Sequence, residues 1–181
     1  MAPPDLDAWI ADPSARTFHR RVARADQDAL WRAMGTVQLS ECRMLGRLVR
    51  WRIPGEPAQI TFRELFRRDP FAVLDEGERW SLSGLVGRIW TLRRDYPQLE
   101  DADAFRSWHR GGTAKVLFAH WVEPAGHGRS AVASEARVAV NDLQGRIGLR
   151  LVRPLIASFE PLIGNEALAL AARRAANGGG T

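Results

Sequence analysis

The chain has 181 residues, 45% hydrophobic and 26% charged, with one cysteine, a length and composition that fit one ordinary globular domain and exclude fibrous and disordered classes and an intrachain disulfide. Twenty-six basic against 21 acidic side chains leave a net charge of +5 and a pI of 10.7. Lys115 is the sole lysine, so the high pI reflects arginine usage and does not by itself call for nucleic acid or an anionic membrane.

The first residues lack the basic and apolar pattern of a secretion signal, and no run approaches the roughly 20 apolar residues that span a bilayer. A soluble, cytoplasmic protein without stable membrane insertion is expected. Residues 1–13 read as an N-terminal extension, 14–175 as a single domain and 176–181 as a disordered, Gly-rich tail.

Leu6, Trp9 and Ile10 share one side of a short helical turn that Pro13 ends. Arg16 to Ala23 alternates as a strand, with Phe18 and Val22 on one face. Asp26 is placed to cap a helix carrying Leu30, Met34 and Val37, and Ser40 to cap a second one carrying Leu45, Leu48, Val49 and Trp51. Thr61 and Glu64 have the spacing of a capping box. Two strands follow, Phe71 to Asp75 and Arg79 to Trp90; on the second, Trp80, Leu82, Val86 and Trp90 alternate onto one face, with Ser81 and Ser83 on the other. Asp101 or Asp103 caps a short helix with Phe105 and Trp108.

Thr113 to Glu123 and Arg129 to Asn141 read as a hairpin. On its first arm Val116, Phe118, His120 and Val122 share a face; on its second, Val132, Ser134, Ala136, Val138 and Val140 do. From Asp142 the pattern turns helical, with Leu143, Ile147, Leu151, Leu155 and Phe159 recurring every four residues. Pro154 and Pro161 fall inside that stretch and are expected to kink or restart the helix. The order is that of an α+β domain: a strand, two short helices, several antiparallel strands and a long C-terminal helix.

Several words in this order carry a family resemblance: Leu6-Asp-Ala-Trp-Ile10, Asp26-Gln-Asp-Ala-Leu-Trp-Arg-Ala-Met34, Gly84-Leu-Val-Gly-Arg-Ile-Trp90, Asp103-Ala-Phe-Arg-Ser-Trp108, Val122-Glu-Pro124 and Ser134-Glu-Ala-Arg-Val138. The chain resembles the START-like and polyketide-cyclase (SRPBCC) superfamily, in a bacterial branch without an assigned activity. The resemblance implies a helix-grip fold, a curved antiparallel sheet wrapped around a long C-terminal helix, with a cavity for a lipid, sterol or polyketide-like molecule between them. It carries over no catalytic residue.

The residues themselves offer little conventional chemistry. Gly84-Leu-Val-Gly87 lies within a strand pattern and lacks the Lys-Ser/Thr of a phosphate loop. His19, His109, His120 and His127 are scattered without metal-ligand spacing, so no metal and no cofactor are expected. The candidate ligand-binding residues are Trp80, Leu82, Val86, Arg88, Trp90, Phe118, His120, Ser134, Leu155 and Phe159. His120 stands among apolar neighbours, where it either orients a ligand or sits as a core histidine bonded to backbone or Glu135. Arg88 either binds a ligand carboxylate or pairs with a nearby acid. Glu135 and Arg137 read as a surface ion pair. The arginines at 43, 47 and 50 read as a solvated face rather than a nucleic-acid site.

Three functions fit this reading: a carrier or sensor of a hydrophobic small molecule, a cyclase or dehydratase using His120 with Arg88 or Ser134, and an interaction protein. The first fits best, for a monomer or homodimer.

Overall fold

A computed structural model describes residues 4–43, 46, 47, 49, 57, 59–91, 95–151 and 165–178. The chain runs β1 (Ala15–Ala23), α1 (Gln27–Gly35), a 3-10 turn (Leu39–Glu41), α2 (Phe62–Leu65), β2 (Ala72–Gly77), β3 (Trp80–Gly87), α3 (Ala102–Ser107), β4 (Ala114–Pro124), β5 (Ser130–Val140), α4 (143–151) and α5 (Asn165–Gly178). The strands form one curved antiparallel sheet in the order β1-β5-β4-β3-β2. It is the expected α+β arrangement, a sheet with a C-terminal helix laid across it.

Local chemistry accounts for most element ends. The Asp26 carboxylate accepts from the Ala29 N–H at 2.7 Å and starts α1, and Asp101 does the same for α3 through Ala104 at 2.7 Å. Each satisfies an amide that the first turn of a helix leaves without a partner. Thr61 and Glu64 form the reciprocal capping box of α2. Ser40 is not a cap: it lies inside the 3-10 turn, its hydroxyl bonded to Gln38 Oε1 at 3.3 Å, and Gln38 starts that turn. Of the helix expected there, Leu45, Leu48 and Trp51 lie outside the described residues. β3 ends at Gly87, short of the expected Trp90. Gly87 has φ +141°, and a Cβ there would meet the Asp95 carbonyl oxygen at 2.1 Å. Only glycine turns the chain at that point.

Both faces of the sheet are covered. On one, Val122 and Val132 pack against Leu30 and Met34 of α1, Phe62, Leu65 and Phe66 of the α2 segment, and Ala167, Leu168, Ala171 and Ala175 of α5. The alanines of α5 let it approach β1 and β5 closely. On the other face Leu82, Val86, Leu117, Ala119, Trp121 and Ala133 meet Leu6, Trp9, Ile10, Leu74 and Phe105. A strand buried on both sides reads as a nearly continuous apolar run, which is how 114–122 reads.

The segment around Trp9 is pinned by a buried charge network. Arg137 donates from Nε to Glu135 Oε1 at 2.6 Å, and its Nη1 reaches Asp7 and the Ile10 carbonyl. Arg16 closes the other Glu135 oxygen at 2.8 Å. Glu135 and Arg137 are 3% and 8% exposed, so this is not the surface pair that alternation alone suggested. Desolvation makes such a group costly once its partner is lost. Glu135→Ala is therefore expected to lower stability by about 3 kcal/mol, seen as a lower urea midpoint with an unchanged slope. A change under about 0.5 kcal/mol, the size of an exposed pair, would contradict the clamp.

Candidate functional site

β4 presents Val116, Phe118, His120 and Val122 to the helix-covered face, as alternation predicts. The register across the sheet decides what stands beside them. Ser81 of β3 and Ser134 of β5 both pair with His120, and Ser83 pairs with Phe118. Directly paired residues in an antiparallel sheet share a face, so Ser81, His120 and Ser134 form one polar row beneath the helices.

Above this row is a pocket. Its walls are Trp31, Met34 and Gly35 from α1, Phe62, Arg63, Phe66 and Arg67 from the α2 segment, Val73 and Glu76 from β2, Ser81 and Ser83 from β3, and His120 from β4. Counted to its open mouth the hollow measures about 380 Å³, but its cavity volume is about 20 Å³, room for about one water. The mouth is charged. Arg67 and Glu76 form an ion pair across it, and the Arg63 guanidinium stands 5.7 Å from the Trp31 ring centroid.

His120 is held by aromatic rings. The Phe62 ring meets it edge-on at 4.9 Å between centroids and Phe66 lies at 4.7 Å. It is 3% exposed, and among the described residues no hydrogen bond reaches its ring. Burial pushes its pKa down to about 3, because an imidazolium would lose its hydration among apolar neighbours. The side chain is neutral throughout the physiological range and keeps one acceptor and one donor nitrogen.

The remaining predicted site residues divide between this face and other parts of the molecule. Trp80, Leu82 and Val86 do share a face, but their partners are Trp121, Ala119 and Lys115, so they point away from His120 into the second core. Arg88 follows β3, its Nε 3.5 Å from an Asp95 carboxylate oxygen. Trp90 lies beyond the strand against Leu149 and Val140. Phe118 lies on the His120 face, in contact with Phe66 and Phe71 at 5.0 and 5.6 Å. Ser134 is buried beside His120. Leu155 and Phe159 lie outside the described residues.

Sequence reasoning missed Trp31, Met34, Phe62, Phe66, Ser81 and Ser83. The two serines alternate onto the polar side of their strand and read as outward; the register turns that side inward. A signal was present in the capping box at Thr61, which sets Phe62 and Phe66 four residues apart on one helical face. Among the described residues no three His, Cys, Asp or Glu side chains converge as a metal site.

A neutral buried histidine links folding to acidity. Below pH 6.5 the unfolded chain binds a proton at this side chain and the folded chain does not, down to about pH 3. Stability is thus complete above pH 6.5 and declines as the pH falls through that window. The urea midpoint is expected to drop between pH 7.5 and 5, and His120→Leu to remove part of that drop. An identical pH dependence in the variant would contradict the buried, neutral state.

No protein-family model and no curated relative matches the chain. Among solved structures it is similar to a hypothetical protein from Helicobacter pylori at 9% identity and a TM-score of 0.45, over 97% of this chain and 96% of that one. It is also similar to the Zhui aromatase/cyclase from Streptomyces sp. R1128, at 15% identity and TM-score 0.38 over 92% and 99% of the two chains. A third likeness is to truncated norcoclaurine synthase from Thalictrum flavum, at 16% and 0.34 over 87% and 90%. At these values the likenesses assign neither a substrate nor a reaction to this chain.

Proposed function

We propose that this protein binds a small, mainly apolar molecule bearing one neutral polar group, with its apolar part against Phe62, Phe66, Met34 and Val73 and its polar group on His120. The observation that carries this reading is the neutral His120 ring in the wall of an aromatic pocket, with no hydrogen bond to it among the described residues. A ligand hydroxyl, carbonyl or amide that reaches the ring gains a neutral hydrogen bond, worth about 1 kcal/mol, and Ser81 and Ser83 add hydroxyls beside it. Because the imidazole is neutral it favours such a group over an anion.

Size refines the ligand class. Sterol-sized and polycyclic ligands occupy sites of roughly 300–1,000 Å³, whereas the cavity volume of this pocket is about 20 Å³. A single ring or the end of an alkyl chain fits once the flexible Met34 and the exposed Arg63 move aside. Binding is favoured over cyclase or dehydratase chemistry by the same burial. A general base works best with a pKa near the operating pH, and a histidine held down at about 3 is a poor one. Arg88, which would have oriented a substrate oxygen, stands beside Asp95 instead.

The test compares 4-methylphenol with toluene, which differ by one hydroxyl, by calorimetric titration of the full chain. The phenol is expected to bind about fivefold more tightly, the worth of one neutral hydrogen bond. In His120→Phe that preference is expected to vanish while toluene binding persists. Absence of saturable binding of either compound, or a preference that survives in His120→Phe, would overturn the proposal.

A further inference from the structure

The C-terminal apolar stripe does not face the sheet. Leu143, Ile147 and Leu151 on α4 are 73%, 54% and 77% exposed, although their four-residue spacing is that of a core-facing helix. The helix is not loosely placed. Its opposite side is held by Leu149, 6% exposed, and by Gly148, where an added Cβ would stand 2.5 Å from the Trp90 ring. Asp142 fixes its start, accepting from Gly145 N–H at 2.7 Å and Gly112 N–H at 2.6 Å. These contacts leave the three large apolar side chains turned to solvent.

Charge identifies what meets them. Arg146 and Arg150 lie along one border of the stripe, both exposed. Among the described residues neither has an acidic partner. From Leu143 to Phe159 the sequence holds Arg146, Arg150 and Arg153 and no aspartate or glutamate. We infer that this face of α4 docks the protein on an anionic phospholipid surface, with Leu143, Ile147 and Leu151 entering the headgroup–acyl boundary and the arginines meeting lipid phosphates. An apolar stripe bordered by arginine is the pattern of helices that lie in the plane of a membrane interface. A second copy of the chain is the poorer occupant, because a symmetric contact sets a patch against itself and brings these arginines together. Among the described residues no helix is long and apolar enough to cross the bilayer, so the contact is peripheral.

Co-sedimentation of the full chain with vesicles tests this. Binding is expected to phosphatidylcholine vesicles containing phosphatidylglycerol and not to phosphatidylcholine alone, and is expected to weaken on raising salt to ~0.5 M. Replacing Leu143, Ile147 and Leu151 together by serine is expected to abolish it while the urea midpoint stays unchanged. Arg146→Gln and Arg150→Gln, which do not disturb packing, are each expected to weaken it about fivefold. The inference is overturned if the chain ignores the anionic vesicles or if the serine variant binds them as well as the parent. It is equally overturned if the parent is a dimer in solution that the serine variant turns into a monomer, which would make the face a contact between copies.

Discussion

The pairing of Ser81 with His120 across β3 and β4 sets which chemistry faces which layer. In a sheet covered on both sides, a one-residue slip would exchange every side chain between the two cores. It would bring Trp80, Leu82 and Val86 under the helices and push Ser81 and Ser83 against Phe105. The observed register is favoured because the small polar side chains then stand where the pocket opens and the large apolar ones where the second core closes. The buried Glu135–Arg137 network on that far face acts likewise on β5, since a slip of β5 would strip Arg137 of Asp7 and the Ile10 carbonyl.

Within that frame His120 is a buried side chain, 3% exposed, that lines a pocket. On the opposite face the buried charges of Glu135 and Lys115 are satisfied, Glu135 by Arg16 and Arg137, and Lys115 by the Arg106 carbonyl at 3.0 Å. The Lys115 ammonium also stands 4.9 Å from the Phe105 ring centroid. His120 has aromatic neighbours and an opening toward solvent instead. Aromatic walls keep it neutral, and neutrality gives the pocket its preference for uncharged polar groups.

Local grammar was the legible part of this chain. Asp26, Thr61 with Glu64, and Asp101 mark helix starts by chemistry that acts over three residues, and the β4–β5 turn sets the pairing of His120 with Ser134 within one hairpin. What was not legible depends on contacts distant in sequence. The connection from Arg88 to Thr113 contains α3, so no turn specifies how β3 registers on β4, and alternation alone cannot say that Ser81 faces His120. The stripe from Leu143 misleads for a similar reason. Its spacing announces an apolar face, but Gly145, Gly148 and Leu149 offer the sheet end a closer fit on the opposite side, and the helix that covers the sheet is the alanine-rich α5. Gly87 likewise ends β3 before Trp90 because of a backbone oxygen eight residues further on.

The pocket's selectivity rests on a neutral His120 with no hydrogen bond among the described residues, and its ring nitrogens report on that state directly. Nitrogen-15 NMR of the histidine side chains, followed from pH 8 to pH 4.5 in the folded protein, separates the buried ring from His19, His109 and His127. The account predicts that the His120 nitrogens keep the shifts of a neutral imidazole across that range. A titration of His120 near pH 6.5 in the folded state would contradict it and remove the basis of the proposed pocket.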